Sequence, residues 1–346
     1  MTSKLIGRRA RPSEGVSAVA VVAAIAVVLA VTGGEASASH VGCGDTITAD
    51  TTLDSDLLNC PNNGILIGAD GITLNLNGHV IDGDGTKAAG CDPNAEFCDT
   101  GVGNDGHDRV TIKGGRVRDF GPGVFIFAAR HNRLRRLSTF RNTFMGIVLS
   151  RSARSVVKRS SASRNGLTTD SPGMVLFESH HNRIAHNRMV GNADVGLDLL
   201  GSDHNHILHN RLRRHPLDGI VIDGRFNEIA RNRVIRNGGG ILISKVGNFG
   251  RIVGNVVRRN YVRGSRTGGI GVDPVARRTR IRRNLVVGAA RDGIFVLSRR
   301  TKLTGNRAFR NGDLGIHAVR GVIDGGGNVA RYNGDPRQCV NVICRS

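Results

Sequence analysis

The sequence predicts an all-β solenoid, in which short parallel strands stack rung upon rung along one axis. Asparagine recurs every 22 or 23 residues through much of the chain, a short glycine-led apolar stretch closes each repeat, and nothing repeats at the helical period of about 3.6. The chain has 346 residues, of which 39% are apolar, so it can bury a large core. Since one such repeat is too short to bury its own apolar residues, we expect every rung to pack on its neighbours.

The asparagines fall into columns that set the length of a rung. Because asparagine tolerates left-handed backbone at a corner, and its amide can bond to the same amide one rung away, we interpret the columns as corner ladders rather than ligand sites. A loop is predicted at residues 85–107, with shorter insertions near residues 166–172 and 261–267. The predicted columns are Asn187, Asn210, Asn232, Asn255, Asn284, Asn306 and Asn328; then, five residues later, Asn142, Asn165, Asn192, His215, Asn237, Asn260, Ala289, Asn311 and Asn333; and a shorter one of Asn182, Asn205 and Asn227.

Each repeat ends in a short strand that begins with glycine. Apolar residues occupy alternate positions, so Ile220 and Ile222 are predicted to point inward and Val221 outward. The preceding segments of the type Asn-x-Ile-x-x-Asn-x-Val supply two more extended runs, which makes three short strands per rung. The glycine-led strands include Gly196–Leu199, Gly219–Ile222, Gly240–Ile243, Gly269–Val272, Gly293–Val296 and Gly315–Ala318.

Residues 1–38 are predicted to be a signal peptide that is cleaved after Ala38. Basic residues precede an apolar stretch from Val16 to Val31, and small residues occupy the positions before the cleavage site. An uncleaved membrane anchor is the competing interpretation, although the stretch is short for a span. We divide the remainder into an N-terminal cap at residues 39–63, a repeat domain at 64–335 and a C-terminal closure at 336–346. We expect a secreted protein with no membrane span in the mature chain.

All six cysteines follow the predicted cleavage site and lie towards the two ends of the mature chain. An even number of cysteines in an exported chain indicates disulfides formed in an oxidising compartment. Of the possible connectivities, we favour the pairing of nearest neighbours, because short loops close most easily. This pairing joins Cys43 to Cys60, Cys91 to Cys98 and Cys339 to Cys344.

These features resemble those of the right-handed parallel β-helix family, the pectate-lyase-like superfamily with its NosD-like and carbohydrate-active members. The resemblance covers roughly residues 64–335 and rests on the repeats Asn205–Leu212 and Asn227–Val234, on Leu74–Gly83, and on the tail from Cys339 to Cys344. It implies a right-handed, single-stranded parallel β-helix with roughly 22–23 residues per rung. The activity stays open, because this scaffold hosts lyases, hydrolases, epimerases and binding proteins.

Catalytic candidates come from the outward positions of the glycine-led strands, which are unusually apolar for a solvated sheet, so we expect a loop, a subunit or a ligand to cover them. Asp198 and Asp223 interrupt these positions on adjacent rungs, and strand geometry places their backbones about 8 Å apart. Inverting glycoside hydrolysis uses paired carboxylates at such a separation, whereas the competing interpretation is two solvated aspartates. The predicted outward columns are Phe125, Val148, Val175, Asp198, Val221, Leu242, Gly271, Phe295 and His317, and Phe127, Ser150, Phe177, Leu200, Asp223, Ser244, Asp273, Leu297 and Val319.

A net charge of +21 suits a polyanionic partner. Arg188, Arg211 and Arg233 occupy equivalent positions after ladder asparagines, and such a column can bind successive carboxylates or sulfates by bidentate hydrogen bonds. The predicted partner is an acidic polysaccharide or cell-envelope polymer, and the alternative is a solvated face of an arginine-rich protein. No nucleic-acid partner is expected, because no nucleic-acid-binding motif occurs.

Metal binding is a weaker prediction. His181 with His204, and His186 with His209, are each 23 residues apart and should stack on adjacent rungs, where copper or zinc could bind; filling of a corner is the alternative. We assign no metal ligands from the sequence. The cofactor stays open, with calcium as the candidate, because several aspartates gather near the early loop without a regular ligand spacing: Asp82, Asp84, Asp92, Asp99, Asp105 and Asp108.

The sequence therefore leads to three functional hypotheses. The first is a secreted protein that binds or acts on an acidic polysaccharide, and as an enzyme it would be a lyase, a glycoside hydrolase or an epimerase. The second is a non-catalytic envelope or adhesion protein, and the third is a copper-binding β-helix. A loop-walled cleft over Asp198 and Asp223 would favour an enzyme, whereas an open flat face would favour a binding protein.

Overall fold

The chain forms the predicted parallel β-helix, in which each rung contributes strands to three sheets. The structure is a computed structural model that describes residues 40–86, 98–167 and 170–345. Every strand pairing in it is parallel, and no helix occurs among the described residues. Along each rung the chain passes through the second sheet and then the third sheet, and it ends in the glycine-led sheet, which closes the rung.

The glycine-led sheet contains 13 strands that run in register from one end of the solenoid to the other. Its strands are Asp45–Ile47, Ile65–Ile67, Val102–Asp105, Val124–Phe127, Ile147–Ser150, Met174–Phe177, Leu197–Leu200, Asp218–Asp223, Gly239–Ile243, Ile270–Val272, Ile294–Val296, Ile316–Ala318 and Cys339–Val340.

The second and third sheets are joined early in the chain, because the long strands Thr111–Arg118 and Arg133–Phe140 each belong to both. The second sheet otherwise contains Thr51–Thr52, Thr73–Asn75, Val156–Lys158, Arg183–Ala185, His206–Leu208, Glu228–Ala230, Val256–Arg258, Arg280–Arg282, Lys302–Thr304 and Ile323–Asp324. The third contains Leu57–Cys60, Val80–Gly83, Ser161–Ser163, Arg188–Val190, Arg211–Arg213, Arg233–Ile235, Tyr261–Arg263, Leu285–Val287, Arg307–Phe309, Asn328–Arg331 and Cys344–Arg345.

Strand pairing extends into both segments that the sequence suggested as end pieces. Asp45–Ile47 pairs with Ile65–Ile67, and Cys339–Val340 pairs with Ile316–Ala318. The predicted signal peptide, residues 1–38, lies outside the described residues. None of the described residues forms a helix with the length and apolarity needed to span a membrane.

Inward-facing side chains fill the solenoid with stacked apolar columns. Ile220 and Ile222 are fully buried, as the alternation predicted, and they stack on Ile241 and Ile243 of the next rung. A side chain has no room at the leading glycine, because a Cβ on Gly240 would lie 1.8 Å from the carbonyl oxygen of the glycine that leads the next rung. The glycine therefore lets adjacent backbones approach closely at this corner.

The asparagines form buried ladders, as predicted. Asn210 illustrates the bonding: its Oδ1 accepts the backbone N–H of Asn187 at 2.9 Å, its Nδ2 donates to the carbonyl oxygen of Ile184 at 2.8 Å, and its Nδ2 also donates to Oδ1 of Asn232 at 3.1 Å. Each side chain thus satisfies corner groups that would otherwise be buried without partners.

The predicted backbone conformation of the ladder asparagines is wrong. The left-handed residue at these corners is the one before the asparagine, as at His186 (φ 58°), His209 (φ 57°) and Arg231 (φ 57°). That residue turns the chain while its own side chain stays at the surface, and the asparagine after it is buried with its amide in the ladder. At these corners one residue therefore supplies the left-handed turn, and the asparagine after it supplies the ladder hydrogen bonds.

Two of the predicted columns are also out of register, because Asn255 and Asn260 were each placed one ladder too late. Asn232 bonds through its N–H to Asn260, 28 residues later, and Asn255 instead follows Asn227. The ladders are about five residues apart along the chain. An insertion of about six residues therefore moved Asn255 to the position expected for the next member of the Asn232 ladder, so the step of 23 from Asn232 to Asn255 looked regular. The insertion predicted at residues 261–267 lies earlier, between the strands Gly239–Ile243 and Val256–Arg258. Residues 244–250 of this insertion are named the cleft loop.

Two of the predicted disulfides are confirmed. Cys43 pairs with Cys60, and Cys339 pairs with Cys344, so a disulfide lies at each end of the solenoid. Cys98 is also disulfide-bonded, but Cys91, its predicted partner, lies outside the described residues.

We expect Asn232→Ala to destabilise the fold strongly. The substitution leaves the backbone N–H of Asn210 and the carbonyl of Ile207 without the bonds that Asn232 provides at 2.8 Å each. A buried unsatisfied group costs about 1–3 kcal/mol, so the loss should be roughly 2–5 kcal/mol. Urea unfolding followed by circular dichroism measures it, and Asn62→Ala at an exposed position is the matched control. Equal unfolding midpoints for both variants would contradict the ladder interpretation.

Candidate active site

A cleft of about 670 Å³ runs across the glycine-led strands on the outer face of that sheet. The strand register confirms the predicted outward column, since Val148 pairs with Val175, Val175 with Asp198, and Asp198 with Val221. These outward side chains are nevertheless buried: Val175 is 3% exposed and Val221 is 5% exposed. The floor of the cleft is therefore largely shielded from solvent, as its apolar composition indicated.

The cleft loop, residues 244–250, forms one wall. Val246 of this loop lines the cleft, and Phe249 packs edge-on against Phe177 with ring centroids 5.4 Å apart. The carboxylate of Asp223 anchors the loop by accepting the backbone N–H groups of Val246 at 2.9 Å and Gly247 at 3.0 Å. The insertion that the sequence misplaced thus builds part of the candidate site.

Four aspartates line the cleft, two from turns and two from strands of the glycine-led sheet. Asp198 lies on the strand Leu197–Leu200, Asp194 lies two residues before Gly196, and Asp218 directly precedes Gly219, while Asp170 is contributed by a neighbouring turn. Gly239 makes room for Asp218, because a Cβ at that position would lie 1.9 Å from its Oδ1. Turns of adjacent rungs and the sheet floor therefore bring the carboxyl groups to one place.

This environment disfavours ionisation of the aspartates. Burial raises the pKa of Asp198 to about 7, and the nearby Asp194, Asp223 and Asp218 carboxyls add to the effect. Burial, together with Asp194 and Asp273, raises the pKa of Asp218 to about 6. Burial and the adjacent Asp170 also raise the pKa of Asp194. Oδ1 of Asp198 is buried without a hydrogen-bond partner, so it is free to bond to a group that enters the cleft.

Such a group of carboxyls can exchange protons near neutral pH. An acid with a pKa near 7 is largely protonated at slightly acidic pH and can donate a proton to a leaving oxygen. A neighbouring carboxyl with a lower pKa is ionised under the same conditions and can act as a base. The arrangement therefore suits general acid–base chemistry.

The register places the two sequence candidates as expected, although their surroundings differ. Leu200 pairs with Asp223 and Val221 with Asp198, which gives the predicted offset of one rung and two residues. Asp198 faces the cleft, whereas the Asp223 carboxylate is bonded to the cleft loop. Sequence reasoning missed Asp194 and Asp218. An aspartate just before a leading glycine was the available signal, and the same signal occurs at Asp292.

A smaller cavity of about 300 Å³ continues the cleft towards the C-terminal rungs and shares Asp218 and Leu242 with it. Arg291 and His317 line this cavity. Nδ1 of His317 lies 3.0 Å from Oδ2 of Asp292, whose other oxygen accepts a backbone N–H. The pair fixes the orientation of the His317 imidazole beside the cleft.

The arginine column lies elsewhere, on the exposed face of the third sheet. Arg188 pairs with Arg211, and Arg211 pairs with Arg233, so the predicted stacking is present. Like charges repel there: the neighbouring Arg214 lowers the pKa of Arg213, and desolvation and the charges of Arg188, Arg211 and Arg236 contribute to the same shift. These cations belong to a different sheet from the cleft and do not line it.

The histidine stacks form as predicted. His181 and His204 have ring centroids 4.8 Å apart, and His186 and His209 have theirs 4.9 Å apart. Burial, followed by repulsion from the stacked partner, lowers the pKa of His204 and of His209.

Within the described ranges, no group of three or more His, Cys, Asp or Glu residues is arranged to hold a metal ion. Among the aspartates considered for calcium, Asp82 instead pairs with Arg118 at 2.7 Å, and Asp108 accepts the backbone N–H of Arg130 at 2.6 Å. Asp92 lies outside the described residues.

Comparison with known protein families identifies the fold. The model of the right-handed β-helix region matches residues 49–212 and 100–252, which together exceed half of the chain. The chain belongs to the right-handed β-helix family. No curated protein sequence matches it significantly.

Solved structures of right-handed β-helix proteins are similar in fold but remote in sequence. The A-module of mannuronan C-5 epimerase AlgE6 from Azotobacter vinelandii is 14% identical with a TM-score of 0.58, and the match covers 86% of this chain and 90% of that one. For a double mutant of the periplasmic alginate epimerase AlgG the identity is 15% and the TM-score 0.59, with 86% and 77% covered. For a polygalacturonase from Erwinia carotovora the values are 12% and 0.56, with 83% and 98% covered.

We expect Asp198→Asn to stabilise the protein at neutral pH. The folded-state pKa of about 7 exceeds the unfolded value of about 4, so the native protein keeps a proton that the unfolded chain releases. The free energy of unfolding therefore falls as pH rises from about 4 to about 7. Removing the carboxyl abolishes this loss, which is at most about 4 kcal/mol. Urea unfolding at several pH values measures the difference.

The stability gain of Asp198→Asn should grow through that pH window and be absent near pH 4. Asp313→Asn, which makes the same substitution at an exposed carboxyl, provides the matched control. A constant difference between Asp198→Asn and the parent at every pH would show that Asp198 does not titrate as described.

Proposed function

We propose that this β-helix protein is a polysaccharide-acting enzyme that hydrolyses glycosidic bonds in the cleft on its glycine-led sheet. The observation that carries the proposal is the buried Asp198 carboxyl, whose Oδ1 has no hydrogen-bond partner among the described residues and which lines the cleft together with further carboxyls. A loop-walled cleft favours catalysis over the flat face of a structural repeat protein. The similar structures named as alginate or mannuronan epimerases and as a polygalacturonase support a polysaccharide substrate.

In this proposal the carboxyls have different roles. Asp198 has the higher pKa and donates a proton to the leaving glycosidic oxygen, while Asp218 is ionised first and activates a water molecule or attacks the sugar. Asp194 faces both and helps to keep Asp198 protonated by its charge. Asp223 positions the wall by holding the backbone of the cleft loop.

Hydrolysis is favoured over elimination by the character of the cleft lining. A lyase needs a base beside a uronate carboxylate, with a cation to neutralise that carboxylate. The described lining of the main cleft includes aspartates but no Arg, Lys or His, whereas Arg291 and His317 line only the smaller cavity. An elimination reaction, if it occurs, would therefore depend on His317 and Arg291 rather than on Asp198.

The protein is proposed to act outside the cytoplasm. Residues 1–38 have the pattern of a cleaved signal peptide, and disulfides link Cys43 to Cys60 and Cys339 to Cys344. Disulfides persist mainly in oxidising compartments. A polysaccharide substrate would be met in such a place.

The purified protein should release new reducing ends, without unsaturated products, from at least one polymer in a panel of polygalacturonate, alginate and neutral glucans. Asp198→Asn should lower kcat about 10²–10⁴-fold, the usual contribution of a general acid. Asp313→Asn, which alters an exposed carboxyl, is the control and should retain full activity. Reducing-end and ultraviolet assays on the same samples separate hydrolysis from elimination.

The pH profile tests the assignment of roles. With Asp218 ionising at about 6 and Asp198 at about 7, kcat/KM should be bell-shaped, with its maximum between those values. If unsaturated products form, persist in Asp198→Asn and disappear in His317→Ala, the reaction is an elimination and not a hydrolysis. If the protein degrades none of the polymers in the panel, the proposed activity is contradicted.

A second candidate function, binding of an acidic polysaccharide or cell-envelope polymer, is favoured by the arginine column. Arg188, Arg211 and Arg233 project from successive rungs, and repulsion from the neighbouring cations lowers the pKa of Arg213. A polyanion would relieve this repulsion and could be bound by several bidentate contacts. Since this surface lies apart from the cleft, binding here could retain the enzyme on an acidic matrix without occupying the site.

We expect retention on a heparin-like or polygalacturonate resin to weaken in the triple variant Arg188→Gln, Arg211→Gln and Arg233→Gln. The salt concentration needed for elution should fall clearly, because three exposed charges are removed from one contact surface. A matched triple variant with the same charge change, Arg280→Gln, Lys302→Gln and Arg282→Gln on the second sheet, should elute close to the parent protein. Identical elution of both triple variants would mean that binding follows net charge and not this column.

A further inference from the structure

One arm of the cleft contains almost no polar side chain. It extends from the Asp198 carboxyl towards the N-terminal rungs, and we name it the apolar arm. On the rungs of Phe125 and Val148, Ser150 is the single polar side chain among the described lining residues, and Asp170 lies in the turn before Val175 on the next rung. The arm is defined by Phe125, Phe144, Met145, Val148, Val175 and Phe177.

The arm follows outward positions on consecutive rungs. Its floor steps from Phe125 to Val148 to Val175 and then to Asp198 through in-register pairs. Three rung steps of about 4.8 Å give a floor of roughly 14 Å. Val148 and Val175 are 7% and 3% exposed, while Phe144 at the rim is 44% exposed and can close over a ligand.

An unsubstituted sugar fits this arm poorly. Each hydroxyl buried there without a partner would lose hydrogen bonds to water at a cost of about 1–3 kcal/mol. An alkyl chain, by contrast, gains about 0.8 kcal/mol for each CH₂ group buried. A short acyl substituent would fill only part of a floor of this length, so the arm matches a chain of several carbons.

We propose that the apolar arm binds the alkyl chain of a glycolipid, with the attached sugar placed over Asp198. The inference rests on the proposed function for the position of the sugar, but the arm's affinity for the chain follows from its own lining. The polarity of the groove is complementary to an amphipathic ligand, because carboxyls lie at one end of the arm and apolar side chains along the rest. The enzyme would then act on sugars linked to lipid rather than on a bare polymer alone.

The chain contains no tryptophan, so a single introduced tryptophan reports on the arm without background. The variant Phe144→Trp should show a blue shift that saturates with n-octyl-β-D-glucoside below its micelle concentration. Methyl-β-D-glucoside, which carries the same sugar, should give no shift at equal concentration. The variant Tyr332→Trp, exposed on a distant corner, should respond to neither ligand.

Calorimetry repeats the comparison on the protein without a reporter. Val175→Thr keeps the shape but places a hydroxyl on the arm floor, and the affinity for the octyl glycoside should fall about tenfold, the equivalent of about 1.4 kcal/mol. Val319→Thr, directly after the glycine-led strand Ile316–Ala318 and outside the described cleft lining, is the control and should leave the affinity unchanged. Circular dichroism checks that both variants are folded.

The outcomes separate this inference from the proposed function. Absence of octyl glycoside binding, or equal binding of the methyl and octyl glycosides, overturns the apolar arm as a chain site, whatever the activity on polymers. Chain-dependent binding that Val175→Thr weakens supports it, even if Asp198→Asn shows that hydrolysis has been assigned wrongly.

Discussion

Stacking of backbone on backbone from one rung to the next is the constraint on which the structure depends. Parallel in-register pairing forces each inward position to repeat, which produces columns of buried isoleucine, valine and leucine. The corners must obey the same spacing, so asparagine side chains bond the buried backbone groups at the corners of neighbouring rungs. Glycine leads the closing strand because adjacent backbones approach too closely there for a Cβ. Outward side chains are not subject to this packing constraint inside the solenoid, and the candidate site is built from them.

The cleft depends on a local departure from the repeat. The cleft loop adds residues between two rungs, and the Asp223 carboxylate holds it against the sheet. The wall then removes water from a row of outward residues that includes Asp198. A buried carboxyl lowers stability when ionised, and a scaffold supported by many rungs tolerates that cost. Burial and crowding also give the carboxyls pKa values useful for proton transfer near neutral pH.

Charge is divided between different faces of the solenoid. The cleft is lined by aspartates and apolar side chains, whereas Arg188, Arg211 and Arg233 lie on the third sheet. A single linear acidic polymer that occupied both would have to bend around the rung. Recognition of a polyanion and chemistry in the cleft are therefore best treated as separate properties, which is why the net charge alone does not identify the substrate.

The sequence by itself determined the repeat, the inward and outward alternation, the stacked histidines and two described disulfides, because each follows from local spacing. It did not determine which insertion lies where, since ladders five residues apart made the step from Asn232 to Asn255 look regular. It named Asp198 from its strand position, but not Asp194 or Asp218, whose approach to Asp198 depends on how the rungs stack. It also could not separate the roles of Asp198 and Asp223. Only the tertiary structure decided this, because the cleft loop takes the Asp223 carboxylate as its anchor and leaves Asp198 facing the cleft.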